Sequence, residues 1–189
     1  MIFKQGDSPK GVFILKSGLV KIVYTSPAGQ RTLVYIYKPG DWFGYRQALT
    51  MDNNQISAIA IEKVEVDFIS NDDFIKLIEE HPKFSHNLLV TLSHEFTIWV
   101  KRLSLFTRLS VKTRLAICLL ILHERFKSLG QEPTVILFSR PDLADFIGVT
   151  IESTVRALSE FKAQGLVAVR GRSIRIKDTQ ALYDSIGEV

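Results

Sequence analysis

Residues 139–165 have the sequence SRPDLADFIGVTIESTVRALSEFKAQG, in which two short helical patterns flank a glycine. Ser139 is a favourable N-cap residue, and Pro141 suits the first turn of the helix that follows. Gly148 is expected to end this helix because glycine adopts positive φ angles at little cost. Thr150 can then cap a second helix. Two helices joined by so tight a turn predict a helix-turn-helix motif.

The apolar residues of this segment recur at helical spacing, which predicts the side of each helix that is buried. A small alanine among them lets the two helices approach closely. The predicted inner faces are Leu143, Ala144, Phe146 and Ile147 in the first helix, and Val155, Leu158 and Phe161 in the second.

The outer face of the second helix carries Glu152, Ser153 and Arg156 near its N-terminal end. In helix-turn-helix motifs this end enters the major groove, where arginine can donate two hydrogen bonds to guanine and glutamate can accept one from cytosine. The hydroxyl groups of Ser139, Thr150 and Ser153, with the backbone N–H groups at the helix starts, suit phosphates. The alternative for Glu152 and Arg156 is a surface ion pair worth about 0.3–0.5 kcal/mol. The two roles are compatible, because the glutamate can position the arginine before binding.

Residues 166–177, with the sequence LVAVRGRSIRIK, alternate apolar and polar residues around a basic turn. This pattern predicts a β-hairpin, hereafter the wing, that lies along the DNA backbone. Arg140 in the helix-turn-helix is a predicted DNA contact, and Arg170 and Arg172 in the wing are the predicted phosphate contacts. Between residues 139 and 177, seven basic residues stand against four acidic ones. The basic residues are Arg140, Arg156, Lys162, Arg170, Arg172, Arg175 and Lys177.

The net charge of +4 is confined to the second half of the chain. Residues 1–83 contain ten basic and ten acidic side chains, whereas residues 84–189 contain fourteen and ten. A basic C-terminal module indicates a polyanionic partner, and we expect that partner to be double-stranded DNA.

The first seventy residues contain short β-type runs that are separated by glycine and proline turns. Many short strands at regular spacing indicate a sandwich or barrel. The predicted strands cover residues 12–15, 19–24, 32–37, 56–61 and 64–69.

Helical periodicity begins after this β region. Ser70 or Asn71 can cap a helix that extends to Glu80 before Pro82, a long helix is predicted from about 84 to 106, and Ser110 can cap a helix over 111–127. The long helix carries one apolar stripe with near-heptad spacing. That stripe could pack on the chain's own β domain or on the same helix of a second chain. We favour pairing, because bulky residues recur over three heptads. The predicted dimer interface is Leu88, Leu92, Phe96, Trp99, Leu103 and Phe106.

The motif LADFIGVTIESTVRAL at 143–158 resembles the DNA-binding signature of the CRP/FNR transcription regulators, and GVFILKSGLVKI at 11–22 with GDWFG at 40–44 resembles their cyclic-nucleotide-type β-roll. The resemblance covers nearly the whole chain in family order, although the family's β-roll begins earlier than Met1. It implies that the residues matching Glu152 and Arg156 contact bases in each half of a near-palindromic operator.

This resemblance fixes the predicted fold class as α+β. We expect an N-terminal double-stranded β-helix (the β-roll) at 1–83, a long dimerisation helix at 84–109 and a C-terminal winged helix-turn-helix at 110–189. The protein is then a homodimer whose two recognition helices enter successive major grooves about one helical turn, ~34 Å, apart. RNA polymerase is a further candidate partner.

The sequence departs from the family in the β-roll. Members that bind cyclic AMP have Gly-Glu after the Gly-Asp turn, and an arginine about ten residues later that pairs with the cyclic phosphate. Here Gly44 is followed by Tyr45 and Arg46, and the arginine position falls near Gln55 or Ile56. A cyclic phosphate would lack its bidentate partner, so we predict no tight cyclic-nucleotide binding. The candidate effector pocket comprises Gly44, Tyr45, Arg46, Ile56 and Ser57, and the effector is unknown.

The composition argues against other function classes. One cysteine, Cys118, cannot form a four-thiolate iron–sulfur site and fits a reducing cytoplasm, where we expect the protein to act. No histidine lies in residues 1–80, so a cupin-type metal site is not expected, and no catalytic grouping is recognisable. No apolar run approaches the ~20 residues of a membrane span. The remaining alternative is a ligand-sensing module that acts through protein–protein contacts. The basic wing argues against it, because arginines suit phosphates better than a protein-interface core.

Overall fold

A computed structural model describes residues 1–130 and 132–187, except for the side chains of residues 101, 102 and 104–108 in its longest helix. The N-terminal part consists of six short strands and one short helix. These elements are β1 (Gly11–Ser17), β2 (Val20–Thr25), β3 (Arg31–Tyr37), β4 (Trp42–Phe43), α1 (Tyr45–Thr50), β5 (Ser57–Ala60) and β6 (Glu65–Ser70).

The six strands form two antiparallel three-stranded sheets, with strand orders β4-β1-β6 and β3-β2-β5. Both sheets contribute to one apolar cluster, in which Leu15 of β1 and Phe43 of β4 meet Val20 and Ile22 of β2. Phe43 stacks on Phe13 with 5.3 Å between ring centroids. The five strands predicted from the sequence are confirmed in position to within about two residues, whereas the two-residue strand β4 was not predicted.

Four helices and one short strand follow the β-roll. They are α2 (Asn71–Glu80), α3 (Pro82–Arg108), α4 (Val111–Lys127) and, after the short strand β7 (Ile136–Leu137), α5 (Arg140–Ile147). Two predicted N-caps are confirmed, because Ser70 Oγ accepts from the Asp73 N–H and Ser110 Oγ accepts from the Thr113 N–H. Among the described residues, no helix combines the length and the apolar content that crossing a membrane requires.

The C-terminal module continues with α6 (Ile151–Ala163), the wing strands β8 (Val167–Arg170) and β9 (Ser173–Ile176), and α7 (Thr179–Asp184). Strand β9 pairs with both β7 and β8 in a small antiparallel sheet. The predicted helix-turn-helix and wing are both present. Gly148 adopts a left-handed conformation with φ 68°, as the predicted helix end requires.

One core joins the β-roll to the C-terminal module. Leu19, in the turn before β2, and Leu33 and Ile36 of β3 belong to the same buried cluster as Leu119 of α4 and Phe146 of α5. Leu19 and Leu33 are fully buried. The two parts therefore share apolar contacts that neither could satisfy alone.

A charged cluster at the same junction ties β2 and β3 to α5. Lys21 Nζ lies 2.5 Å from Asp142 Oδ1, and their side chains are only 13% and 11% exposed. Arg31 lies 3.7 Å from the same Asp142 oxygen and 3.5 Å from Asp145 Oδ2. Burial raises the pKa of Asp145 above its ordinary value. This cluster fixes the start of the helix-turn-helix relative to the β-roll.

The structure corrects the predicted stripe on α3. Leu88 and Leu92 pack on the chain's own β-roll, against the cluster that contains Phe74 and Tyr45. Their assignment to a dimer seam was wrong, because sequence spacing alone could not distinguish the two partners of the helix. Trp99 is partly buried and lines a small cavity between α3 and the β-roll.

A second apolar stripe on α3 is exposed, on the side of the helix that does not pack on the β-roll. Phe96 and Leu103 are 69% and 72% exposed, so both side chains are accessible to a second chain. Leu89 and Val100 are exposed at 63% and 52% and extend this stripe with the spacing 7, 4 and 3. The side chain of Phe106 lies outside the described residues.

Candidate nucleic-acid interface

The two helices of the motif begin at hydroxyl caps. Ser139 Oγ accepts from the Asp142 N–H at 3.1 Å and donates to Asp142 Oδ2 at 2.7 Å. Thr150 Oγ1 accepts from the Ser153 N–H at 3.2 Å and donates to Ser153 Oγ at 3.1 Å. The protons of Ser139 and Thr150 are thus engaged within the chain. Of the three hydroxyl groups predicted to meet phosphates, only Ser153 has no hydrogen-bond acceptor for its proton among the described residues.

The buried side of α6 differs from the prediction at one position. Thr154, Ala157, Leu158 and Phe161 face the core, whereas Val155 is 42% exposed. Its assignment to the inner face was wrong. Thr154 takes that place, because its hydroxyl donates to the Thr150 carbonyl oxygen at 2.9 Å and its methyl group can then be buried without an unsatisfied polar atom.

The outer face of α6 presents Glu152 and Arg156, both exposed and one helical turn apart. A hydrogen bond from its own backbone N–H lowers the pKa of the Glu152 carboxyl, which therefore stays ionised at neutral pH. No ion pair joins Glu152 to Arg156 within the described part of the chain, so the alternative of a surface ion pair is not formed. Both charged groups are available to a partner.

The wing adds a basic surface beside this helix. Ile174 and Ile176 of β9 point into the core, so the alternating residues Arg175 and Lys177 point outward. Arg170 and Arg172 are exposed at the end of β8 and in the turn, where Gly171 has φ 56°. The wing therefore carries four exposed cations on its outer side and tip.

Arg140 forms a contact within the chain that the sequence did not predict. Its Nη2 donates to the Gly171 carbonyl oxygen at 2.7 Å, and its Nη1 is buried without a hydrogen-bond acceptor in the described structure. Burial lowers the pKa of the Arg140 guanidinium. The side chain thus ties the wing turn to the start of α5 rather than projecting freely towards a phosphate.

The predicted effector residues Gly44, Tyr45, Arg46 and Ile56 line one cavity in the β-roll, whereas Ser57 is absent from its lining. Ser57 Oγ instead accepts from the Gln5 N–H at 2.9 Å. The cavity has a volume of about 40 Å³, well below the ~300–1,000 Å³ typical of ligand pockets. Arg46 is paired with Glu95 of α3.

A larger groove of about 500 Å³ lies beside this cavity, between the β-roll and α3. Aromatic residues form much of its wall, and its charged residues are Asp41 and Glu95. No lysine or arginine lines it within the described structure. The groove therefore offers no cation to a phosphate.

Two family models match the chain on either side of the long helix. Residues 1–81 match the cyclic nucleotide-binding domain, and residues 113–185 match the Crp-like helix-turn-helix domain. The two matches together include the β-roll and the winged helix-turn-helix.

Whole-chain comparisons extend over nearly the full length of this chain. The anaerobic regulatory protein of Haemophilus influenzae is 27% identical over 99% of this chain and 73% of its own length. The fumarate and nitrate reduction regulatory protein of Escherichia coli is 26% identical over 98% and 75%. Among solved structures, FixK2 from Bradyrhizobium japonicum superposes with a TM-score of 0.83 at 22% identity, covering 100% of this chain and 93% of that one. A CRP-family regulator from Thermus thermophilus, TTHB099, has the same TM-score and coverage at 21% identity.

Proposed function

Because the chain belongs to the CRP/FNR family of transcription regulators, we propose that it binds a near-palindromic operator as a homodimer through Glu152, Ser153 and Arg156. Members of this family bind DNA through the helix-turn-helix, so DNA is the partner of the C-terminal module. We further propose that it acts in the cytoplasm, with RNA polymerase as a second partner.

A single observation carries the assignment of residues. The N-terminal half of α6 presents an ionised glutamate and a free-standing arginine beside a wing with four exposed cations. Arginine recognises the O6 and N7 acceptors of guanine, and a carboxylate accepts from the amino group of cytosine. The wing cations suit phosphates, which contribute affinity without sequence preference.

The dimer is supported by the exposed stripe of α3. Leu89, Phe96, Val100 and Leu103 follow the heptad spacing of a two-stranded coiled coil. Four bulky apolar side chains exposed on one helix face are costly in water and are typical of a protein interface. Pairing two copies along this stripe would place two recognition helices on one operator.

The β-roll supports regulation by something other than a cyclic nucleotide. Its cavity is small, Arg46 is engaged by Glu95, and the adjoining groove offers no cation. We expect calorimetry with cyclic AMP to give no micromolar binding. A dissociation constant in the micromolar range or below would contradict this proposal.

Selection of binding sites from random duplex DNA tests the function directly. We expect enrichment of a two-fold symmetric sequence. On that sequence, Arg156→Ala should cost ~1–3 kcal/mol and relax the preference at one base pair in each half-site. Arg172→Ala should weaken binding to all sequences alike, and Lys76→Ala on α2 serves as a control for loss of one charge.

Two outcomes would overturn the proposal. If Arg156→Ala and Arg172→Ala lowered affinity uniformly across sequences, Arg156 would not contact bases. If no sequence were enriched and binding were insensitive to salt, the C-terminal module would be a surface for protein contacts instead.

A further inference from the structure

The exposed face of α6 contains apolar as well as charged residues. Ile151 and Val155 are 43% and 42% exposed and lie one helical turn apart, in a row beside Glu152 and Arg156. This apolar row, Ile151 and Val155, is not part of the buried side of the helix, which Thr154, Ala157 and Leu158 form.

The apolar row is confined to one end of the helix. The next position along it, Ser159, is polar, and the exposed residues Lys162, Ala163 and Gln164 that follow include no further branched aliphatic side chain. The apolar side chains therefore occupy the same N-terminal half that carries Glu152 and Arg156. In helix-turn-helix proteins this half is the part that enters the major groove.

Only one base offers an apolar group in the major groove, namely thymine with its C5-methyl. Branched aliphatic side chains are apolar like that methyl group. Valine and isoleucine also present their own methyl groups at fixed positions, because χ1 of a β-branched residue is restricted. An exposed β-branched pair within the reading face of a DNA-binding helix thus has a complementary partner on the operator.

We propose that Val155 contacts a thymine methyl group next to the base pair that Arg156 recognises, and that Ile151 contacts a second one. This inference rests on the proposed function and adds to it the chemical identity of two operator positions. Each half-site should then contain at least one A·T pair beside the position that Arg156 specifies.

The test replaces each thymine of the selected operator by deoxyuridine, which removes the methyl group and leaves every hydrogen-bonding atom in place. Affinity is measured by fluorescence anisotropy. Burial of a methyl group contributes ~0.8 kcal/mol, so replacing one contacted thymine in one half-site should lower affinity about fourfold. Substitution in both half-sites should change it about sixteenfold, since the two sites are independent.

The variants assign each methyl group to its side chain. For Val155→Ala, replacing thymine by deoxyuridine at one operator position should no longer lower the affinity. For Ile151→Ala, the same should hold at another position. Val155→Thr keeps a γ-methyl group and should keep the response. Ile121→Ala, which truncates a residue of similar exposure (40%) on α4, is the control and should respond like the unmodified protein.

The outcomes separate the two levels of the proposal. If an operator is selected and depends on Arg156, yet uracil has no effect or Val155→Ala keeps the full response, the thymine contacts are refuted while the proposed function stands. If no operator is selected at all, both are refuted. Val155 and Ile151 are exposed, so unchanged thermal stability of their alanine variants will show that the fold is intact.

Discussion

The ion pair between Lys21 and Asp142 gives the sharpest test of how the β-roll holds the C-terminal module. The pair joins residues 121 positions apart, with 2.5 Å between Lys21 Nζ and Asp142 Oδ1. Replacing Lys21 by Met keeps the length and most of the aliphatic packing of the side chain but removes its charge. Asp142 would then remain almost fully buried with a weaker partner.

The expected cost follows from this burial. Breaking a buried ion pair by removing one partner costs ~3–5 kcal/mol. Arg31 stays 3.7 Å from the same oxygen and Ser139 still donates to the carboxylate, so we expect the lower end, about 3 kcal/mol. In a chain of this length 1 kcal/mol shifts the melting temperature by ~2–4 °C, and the predicted decrease is therefore about 6–12 °C.

Differential scanning calorimetry at a fixed protein concentration measures the decrease, since the melting temperature of a dimer depends on concentration. Lys16→Met is the matched control. Lys16 pairs with Asp67 at 3.2 Å, but both side chains are 58% exposed, and such pairs contribute at most ~1 kcal/mol. If both variants melted within about 2 °C of each other, the buried pair would not hold the module in place.

Three further substitutions test the dimer, the wing and the shared core. Phe96→Glu should give monomers in sedimentation velocity because it places a charge in the exposed apolar stripe of α3, whereas Lys83→Glu at the start of the helix should leave the dimer intact; a dimeric Phe96→Glu would place the seam elsewhere. Arg140→Ala should speed hydrogen exchange in the wing turn, because the bond to the Gly171 carbonyl is lost, and unchanged exchange would mean that the turn is held without it. Leu33→Ala should cost ~2–5 kcal/mol and lower a single calorimetric transition, whereas a second transition that stays in place would separate the two domains.

Local features of the sequence were sufficient for most of the fold. Ser70, Ser110, Ser139 and Thr150 were recognisable as caps because a cap depends only on the next three residues. Gly148 was recognisable as a helix end for a similar reason. The same is true of the wing, whose alternating pattern and basic turn lie within twelve residues.

Features that depend on distant residues were missed. Arg46 meets Glu95 across 49 positions and Arg140 meets Gly171 across 31, and no local pattern indicates either pair. Leu88 and Leu92 were assigned to the dimer because the spacing of a stripe does not identify what covers it. Such contacts are set by the tertiary fold.

Val155 was misplaced for a different reason. Hydropathy favours valine over threonine for a buried position, yet Thr154 is buried because its hydroxyl bonds to the backbone of the preceding turn. The spacing of Thr154 to Leu158 and Phe161, at four and seven positions, was the available signal. It identifies Val155 as a surface residue of the recognition helix.

The salt dependence of operator binding tests the central claim most directly. Fluorescence anisotropy on the selected duplex gives the binding constant as a function of salt concentration. If the four wing cations of each protomer neutralise phosphates, the slope of log K against log salt should be about −7, and affinity should fall by about four orders of magnitude between about 50 and 200 mM salt. A slope near zero, or equal affinity for the selected and a scrambled duplex, would contradict recognition of DNA by this winged helix.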